Sequence, residues 1–199
     1  MLSNKELLIQ ARNINKKLVY GSNIRYYLAR TDTAASCEID DVQYHFFDGT
    51  TGITEWISNF NAFRTGIHGA SIGYDDIARL LYVHIIQYIN PSKKQVFSGF
   101  SRGGAIGLLV LIRVMTYYQN RGQKLDCELV SFNMPKAGSK KLNDYCKELG
   151  FNHTRIYMKG DIGHNILWWW ETQYATTVIA LDNHEKGIVN KHKNIIPYL

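Results

Sequence analysis

The chain has 199 residues, of which 45% are hydrophobic, and it contains only three prolines. A chain of this length can bury one sizeable core, and no Gly/Ser-rich or charge-block stretch divides it, so we expect a single domain over residues 1–199. The formal net charge of +6 suits an anionic partner, either nucleic acid or a phospholipid surface. Because the basic residues are scattered over separate elements, an ordinary solvated surface is the favoured interpretation.

The cysteines and the N-terminal sequence indicate the cellular compartment. Three widely spaced cysteines without a Cys-x-x-Cys pair argue against a disulfide framework or a zinc site, so we expect buried thiols. Residues 1–17 lack the continuous apolar region of a signal peptide, and no stretch reaches the roughly 18 apolar residues of a membrane-spanning helix. These features predict a cytoplasmic protein.

The hydrophobic pattern predicts alternating helices and strands. Apolar spacing predicts an amphipathic helix over residues 5–19, strands or turns at 26–28 and 34–39, and a strand over 42–47. A short helix over 53–60 and a longer one over 74–89 precede a strand near residue 96. Further strands are expected at 128–133, 153–158 and 176–181, with a helix over 139–149. This alternation indicates an α/β fold with a mostly parallel central sheet and helices on both faces.

The central motif is Gly99-Phe100-Ser101-Arg102-Gly103-Gly104, between an apolar strand pattern and an apolar helical pattern. A Gly-x-Ser-x-Gly turn between strand and helix places its serine on a sharp elbow, where the two glycines let strand and helix approach closely. Ser101 would then lie at a helix N-terminus that favours a developing negative charge. A glycine-rich strand-to-helix turn or an anion-binding loop is the alternative interpretation.

Candidate partners for Ser101 follow other predicted strands, where parallel sheets place their functional loops. Asp161 lies 60 residues after Ser101 and directly after a predicted strand, which favours a catalytic acid over an ordinary turn residue. His184 follows the last apolar strand and is the preferred base, with His192 in the lysine-rich tail as the alternative.

The remaining histidines have other interpretations. His45 lies inside the first predicted strand, His84 on the apolar face of a predicted helix and His153 at a strand start, so each is assigned a structural role. His164 is three residues from Asp161, which suits a neighbour of the site better than its base.

The order serine, acid, histidine is that of the α/β-hydrolases, and further segments resemble the class 3 (fungal-type) lipase family. Residues 47–57 resemble that family's Phe-Arg-Gly-Thr/Ser oxyanion loop and the tryptophan after it, and residues 68–69 its His-x-Gly-Phe segment. Residues 133–138 resemble its Gly-x-Pro-Arg-x-Gly segment, residues 159–162 its acid loop and residues 181–184 its final Asp-His stretch. The resemblance covers roughly residues 42–165.

The resemblance implies an α/β-hydrolase fold and a lipase or esterase acting on acylglycerol or phospholipid esters through an acyl-enzyme. Ser101 would attack the carbonyl, His184 would take and return the proton, and Asp161 would hold the imidazole in the right tautomer. Thr50 and the backbone N–H of Arg102 would bind the oxyanion. The substrate would be a lipid or small ester, and no metal or organic cofactor is implied.

The chain departs from the family pattern at three places. Arg102 replaces the usual leucine after the nucleophile, and Asp48 replaces the arginine before the oxyanion glycine. Only residues 61–68 stand where fungal members carry a longer lid, which predicts an open site. Three successive tryptophans, 168–170, cannot all face one core, so at least one is expected to line an acyl groove or a partner surface.

Two alternatives belong to other functional classes. A catalytically silent hydrolase-like domain would bind lipid or protein, but the intact serine elbow weighs against it. A basic nucleic-acid-binding protein would show a clustered Lys/Arg face, which this sequence lacks, so no nucleic acid is expected. The basic charge remains compatible with peripheral contact with an anionic membrane surface.

Overall fold

The computed structural model describes residues 1–30, 32–49, 66–161, 174–182 and 195–199. The strands in these ranges are β1 (Ser22–Ala29), β2 (Asp32–Ile39), β3 (Val42–Phe47), β4 (Lys94–Phe100), β5 (Cys127–Phe132), β6 (Asn152–Met158) and β7 (Thr177–Leu181). They form one sheet whose spatial order follows the chain from β1 to β7. β2 pairs antiparallel with both β1 and β3, whereas every pair from β3 to β7 is parallel. The carboxyl ends of β3 to β7 therefore lie along one edge of the sheet.

Helices cover both faces of this sheet. The α-helices among the described residues are α1 (Asn4–Asn13), α2 (Ile72–Ile85), α3 (Arg102–Gln119) and α4 (Lys140–Leu149). Short 3-10 helices span Ile14–Lys16, Ile67–Gly69 and Ile196–Tyr198. One buried apolar cluster contains residues of α2, α3 and α4, and a second contains residues of α1 together with Ile195. The chain thus has the expected α/β-hydrolase fold.

Strand side chains alternate between these two clusters. On β4, Phe97 belongs to the cluster of α2 to α4, whereas its neighbour Val96 belongs to the cluster of α1. The same alternation separates Phe47 from Phe46 on β3. Successive side chains of a strand point to opposite faces, so both faces of each central strand are buried.

Several elements differ in extent from their sequence predictions. α1 is shorter than the helix predicted over residues 5–19, because the chain turns at Lys17 (φ 54°) and the Leu18 N–H donates back to the Asn13 carbonyl. The strands or turns predicted at 26–28 and 34–39 are a long hairpin, β1 and β2. The helix predicted over 53–60, residues 61–65 of the short link and the tryptophans at 168–170 lie outside the described residues.

Other expectations concern cysteines and membrane-spanning segments. Cys37, Cys127 and Cys146 are buried, as predicted, and burial raises the pKa of Cys37 and of Cys127 to about 12. Within the described ranges, no helix combines the length and apolar character needed to cross a bilayer.

Candidate active site

Ser101 has the elbow conformation that the motif predicts. It joins the end of β4 to the start of α3 with φ 54° and ψ −126°, angles that a non-glycine residue rarely adopts. Its N–H donates to the Phe132 carbonyl at 2.8 Å, and its carbonyl accepts from the Gly104 N–H at 2.9 Å. Hydrogen bonds from β5 and from the first turn of α3 therefore hold the serine backbone in this strained geometry.

Two glycines make the close approach of strand and helix possible. A Cβ on Gly99 would lie 2.5 Å from the backbone carbonyl carbon and oxygen of Gly103. A Cβ on Gly103 would lie 2.3 Å from the Phe47 carbonyl oxygen. Both contacts are with backbone atoms, which cannot relieve a clash by changing rotamer as a side chain can. Any larger residue at either position would push α3 away from the sheet.

The loop that leaves β3 also contacts the elbow. A Cβ on Gly49 would lie 2.6 Å from the Phe100 carbonyl oxygen and 3.2 Å from Cβ of Ser101. Thr50 follows directly but lies outside the described residues, so its oxyanion role stays a prediction. Arg102 is the first residue of α3, which places its backbone N–H at the positive end of the helix dipole.

Asp161 emerges from the same edge of the sheet as Ser101. It follows β6, is fully buried and donates its N–H to the Met158 carbonyl at 3.1 Å. β4 and β6 are separated by one strand, or about 10 Å between strand axes. That spacing leaves room for an imidazole ring between a serine and a carboxylate that follow these strands.

Buried polar groups fix the loops on either side of Asp161. The Arg155 guanidinium donates from Nη2 to the Met134 carbonyl at 2.7 Å, and burial lowers its pKa to about 10, with Tyr157 and Asp161 opposing that shift. Asn133 (φ 46°) accepts the Met158 N–H on its side-chain oxygen at 2.9 Å. The loops after β5 and β6 are therefore tied together beneath the candidate acid.

The two charged departures from the family pattern contact the start of β2. Nη2 of Arg102 lies 3.0 Å from Oδ2 of Asp32, and both side chains are buried. Burial raises the pKa of Asp48 to about 7, and the Asp32 charge adds to this, while a hydrogen bond from Gly49 and the Arg12 charge oppose it. Sequence analysis missed Asp32, because only the β1–β2 hairpin brings it beside the elbow.

Two histidines are internal parts of the sheet, as predicted. His45 bonds to Ser36 through Nδ1 and to Gln95 through Nε2, and burial lowers its pKa to about 4. His153 bonds to Ser131 at 2.8 Å and to the Tyr174 carbonyl, and burial lowers its pKa to about 3. These contacts leave both rings fully enclosed within the protein.

Of the other histidines, His84 lies on α2. His84 is exposed, so the prediction that it lies on the apolar face of a helix was wrong. Its ring instead stacks on the ring of Tyr27. His164, His184 and His192 lie outside the described residues, and the choice of His184 stays a prediction. Among the described residues, no group of three or more His, Cys, Asp or Glu is placed to hold a metal ion.

Residues 44–163 of the chain match the lipase (class 3) family. No curated protein matches the chain. A deletion mutant of the Rhizomucor miehei lipase propeptide complex is similar in structure, with a TM-score of 0.73 and 16% identity over 90% of this chain and 65% of that one. The chain thus spans slightly less than two thirds of that lipase.

Two further solved structures have the same fold. A triacylglycerol lipase described as having a serine protease triad at its catalytic centre gives a TM-score of 0.71 and 16% identity, over 98% of this chain and 88% of that one. The Lip2 lipase from Yarrowia lipolytica gives a TM-score of 0.64 and 13% identity, over 90% of this chain and 77% of that one. At these identities the likeness is one of fold.

Proposed function

This chain belongs to the class 3 lipase family, and we propose that it is a serine carboxylic-ester hydrolase acting on lipid esters. The observation that carries the proposal is the backbone of Ser101, which is held at φ 54° at the N-terminus of α3. A strained serine between a strand end and a helix dipole is suited to nucleophilic attack, because its hydroxyl projects from the sheet edge toward groups that stabilise negative charge.

In the proposed reaction, the Ser101 hydroxyl attacks the ester carbonyl while His184 accepts its proton. The Asp161 carboxylate orients the imidazole and stabilises its charged form. The imidazolium then gives the proton to the leaving alcohol, and water hydrolyses the acyl-enzyme by the reverse set of transfers. The N–H groups of Thr50 and Arg102 bind the tetrahedral oxyanion, each lowering the barrier by about 3 kcal/mol.

Acylglycerols and phospholipids are the proposed substrates, presented at an anionic lipid surface. Apolar side chains on one face of β1 support the surface contact: Leu28 is 69% exposed, and Ile24 and Tyr26 are each 38% exposed. Arg30 follows this row and is exposed, as is Lys16. Apolar groups that enter the headgroup region beside basic groups are the features that bind anionic bilayers.

The test is ester turnover together with labelling by a fluorophosphonate probe. We expect wild-type protein to hydrolyse p-nitrophenyl esters and to be labelled at Ser101, and Ser101→Ala to lose both while keeping its unfolding temperature. Ser98→Ala is the matched control, since Ser98 is a fully buried serine on β4, the strand that leads to Ser101. A wild-type protein that is neither labelled nor active on any acyl length would instead favour the catalytically silent binding domain.

The same assay tests the choice of base. His184→Ala should lose several orders of magnitude in kcat, whereas His192→Ala should be nearly neutral. The reverse result would move the base to the C-terminal tail.

A further inference from the structure

The side chain of Arg102 is buried although it follows the candidate nucleophile directly. Its guanidinium lies 3.0 Å from Asp32, with the two side chains only 7% and 4% exposed. The Arg102 charge also acts on Tyr74 of α2: burial raises the pKa of Tyr74, and the Arg102 charge opposes that shift. A buried ion pair is often no more stabilising than apolar side chains of the same volume, so this pair need not contribute much to stability.

The next residue of β2 holds the loop on the other side of the nucleophile. The Asp48 N–H donates to the Thr33 carbonyl at 3.2 Å. The Thr33 hydroxyl donates to the Asn15 side-chain oxygen at 2.6 Å, and the Asn15 amide donates to the Asp48 carboxyl group. Backbone and side-chain contacts therefore both tie Asp48 to Thr33.

These two anchors converge on Ser101. Asp32 holds Arg102, the residue after the serine, and Thr33 holds Asp48, whose neighbour Gly49 lies against the elbow. We propose that Asp32 and Thr33 position the two backbone segments on either side of Ser101, namely the start of α3 with the Arg102 N–H and the loop of Asp48 and Gly49. This assignment rests on the proposed function.

The chemistry explains why such positioning would matter. Oxyanion donors act only when they are aimed at the place where the charge develops, and a displacement of about 1 Å can cost on the order of a hundredfold in rate. Asp48 and Arg102 come from two segments that are far apart in sequence. Anchoring both to adjacent residues of one strand fixes the placement of the two segments around Ser101, so loss of an anchor should lower the rate of acyl transfer more than substrate binding.

The structure offers a matched control on the same helix. Arg113 of α3 lies 2.8 Å from Asp75 through Nη2 and Oδ1, with side chains 12% and 13% exposed. It is a second Arg–Asp pair with little solvent exposure, but it lies three helical turns from the elbow. Arg102→Leu and Arg113→Leu therefore remove the same groups from similar surroundings at different distances from Ser101.

The experiment compares unfolding temperature, kcat, KM and the rate constant of fluorophosphonate labelling for both variants. We expect both to lose stability, but only Arg102→Leu to lose at least about tenfold in kcat and labelling rate, with KM changed by less than about threefold. Asp32→Asn, which keeps the size of the side chain, should move kcat in the same direction, and it serves as the test if Arg102→Leu does not fold.

Two outcomes would count against the assignment and are distinguishable. If the wild-type enzyme is active but Arg102→Leu and Asp32→Asn keep kcat within about twofold of the Arg113→Leu value, Asp32 has a purely structural role and the positioning assignment is wrong. If the wild-type protein neither turns over esters nor labels at Ser101, the proposed function fails and this assignment fails with it.

Discussion

Ser101 and Asp48 differ in how far their surroundings can be inferred from nearby sequence. The elbow at Ser101 depends on Gly99 and Gly103, each two residues away, so the local pattern predicts its backbone. The surroundings of Asp48 instead come from distant parts of the chain, since Asn15 precedes it by 33 residues and Asp32 begins another strand. Its raised pKa could be found only once the fold had brought these groups together.

Asp48 provides a prediction about stability and pH. Its pKa is about 7 in the folded protein against 3.8 as a free side chain, so between these values the folded state binds more protons than the unfolded one. Stability contributed by this group is therefore lost as the pH rises from about 4 to 7, at up to about 1.4 kcal/mol per pH unit. Asp48→Asn should remove that loss and become more stable relative to wild type as the pH rises.

Urea unfolding at pH 5 and pH 8 measures this difference. The buried histidines, His45 and His153, act in the opposite sense, because their lowered pKa values make the folded state bind fewer protons than the unfolded one. Comparing variant with wild type cancels their contribution, and Asp126→Asn is the control at an exposed position. A stability difference for Asp48→Asn that is equal at both pH values would show that Asp48 keeps an ordinary carboxyl pKa.

At the scale of elements, sequence periodicity predicts the strands from β3 onward better than the first hairpin. β3 to β6 are mostly buried because helices cover both faces of the sheet, and each was expected where it is found. β1 is almost entirely exposed, so its pattern was too weak to distinguish a strand from a turn. Thr50 and His184 lie outside the described residues and remain predictions.

The junction of β4 and α3 gives a prediction about packing. Gly99→Ala should destabilise the protein by at least about 2 kcal/mol, because its Cβ would lie 2.5 Å from the Gly103 backbone. Gly104→Ala should cost less than Gly99→Ala, since its Cβ would lie no closer than 3.0 Å to the Met134 side chain and 3.2 Å to the Gly99 carbonyl oxygen, and alanine favours the helix. Thermal unfolding measures both, and equal losses would mean that the close contact at Gly99 does not exist in solution.

For the whole molecule, strand direction separates the two edges of the sheet. β1 and β3 both pair antiparallel with β2, so they run in the same direction. β4 pairs parallel with β3 and therefore shares that direction. Leu28 and Arg30 therefore lie at the edge where β4 ends at Ser101. Lys16 lies at the same edge, since the adjacent Asn15 bonds to Asp48 and Thr33. Leu28 and the two basic groups proposed to contact lipid are thus on the side of the candidate nucleophile.

This arrangement predicts salt-dependent activity on anionic vesicles. A basic residue near an anionic bilayer contributes about 1 kcal/mol, so Lys16→Glu should weaken vesicle binding by roughly tenfold or more at low salt. Lys124→Glu makes the same charge change at an exposed site before β5, at the opposite edge of the sheet, and should have little effect.

Binding and hydrolysis would be measured on anionic and uncharged vesicles at low and high salt, with a short-chain p-nitrophenyl ester reporting intrinsic kcat. Because screening shortens electrostatic attraction to within a few ångströms at high salt, the difference between the two variants should shrink there. Equal effects of the two substitutions, or a wild-type rate on anionic vesicles that salt does not change, would exclude this edge as an electrostatic docking surface.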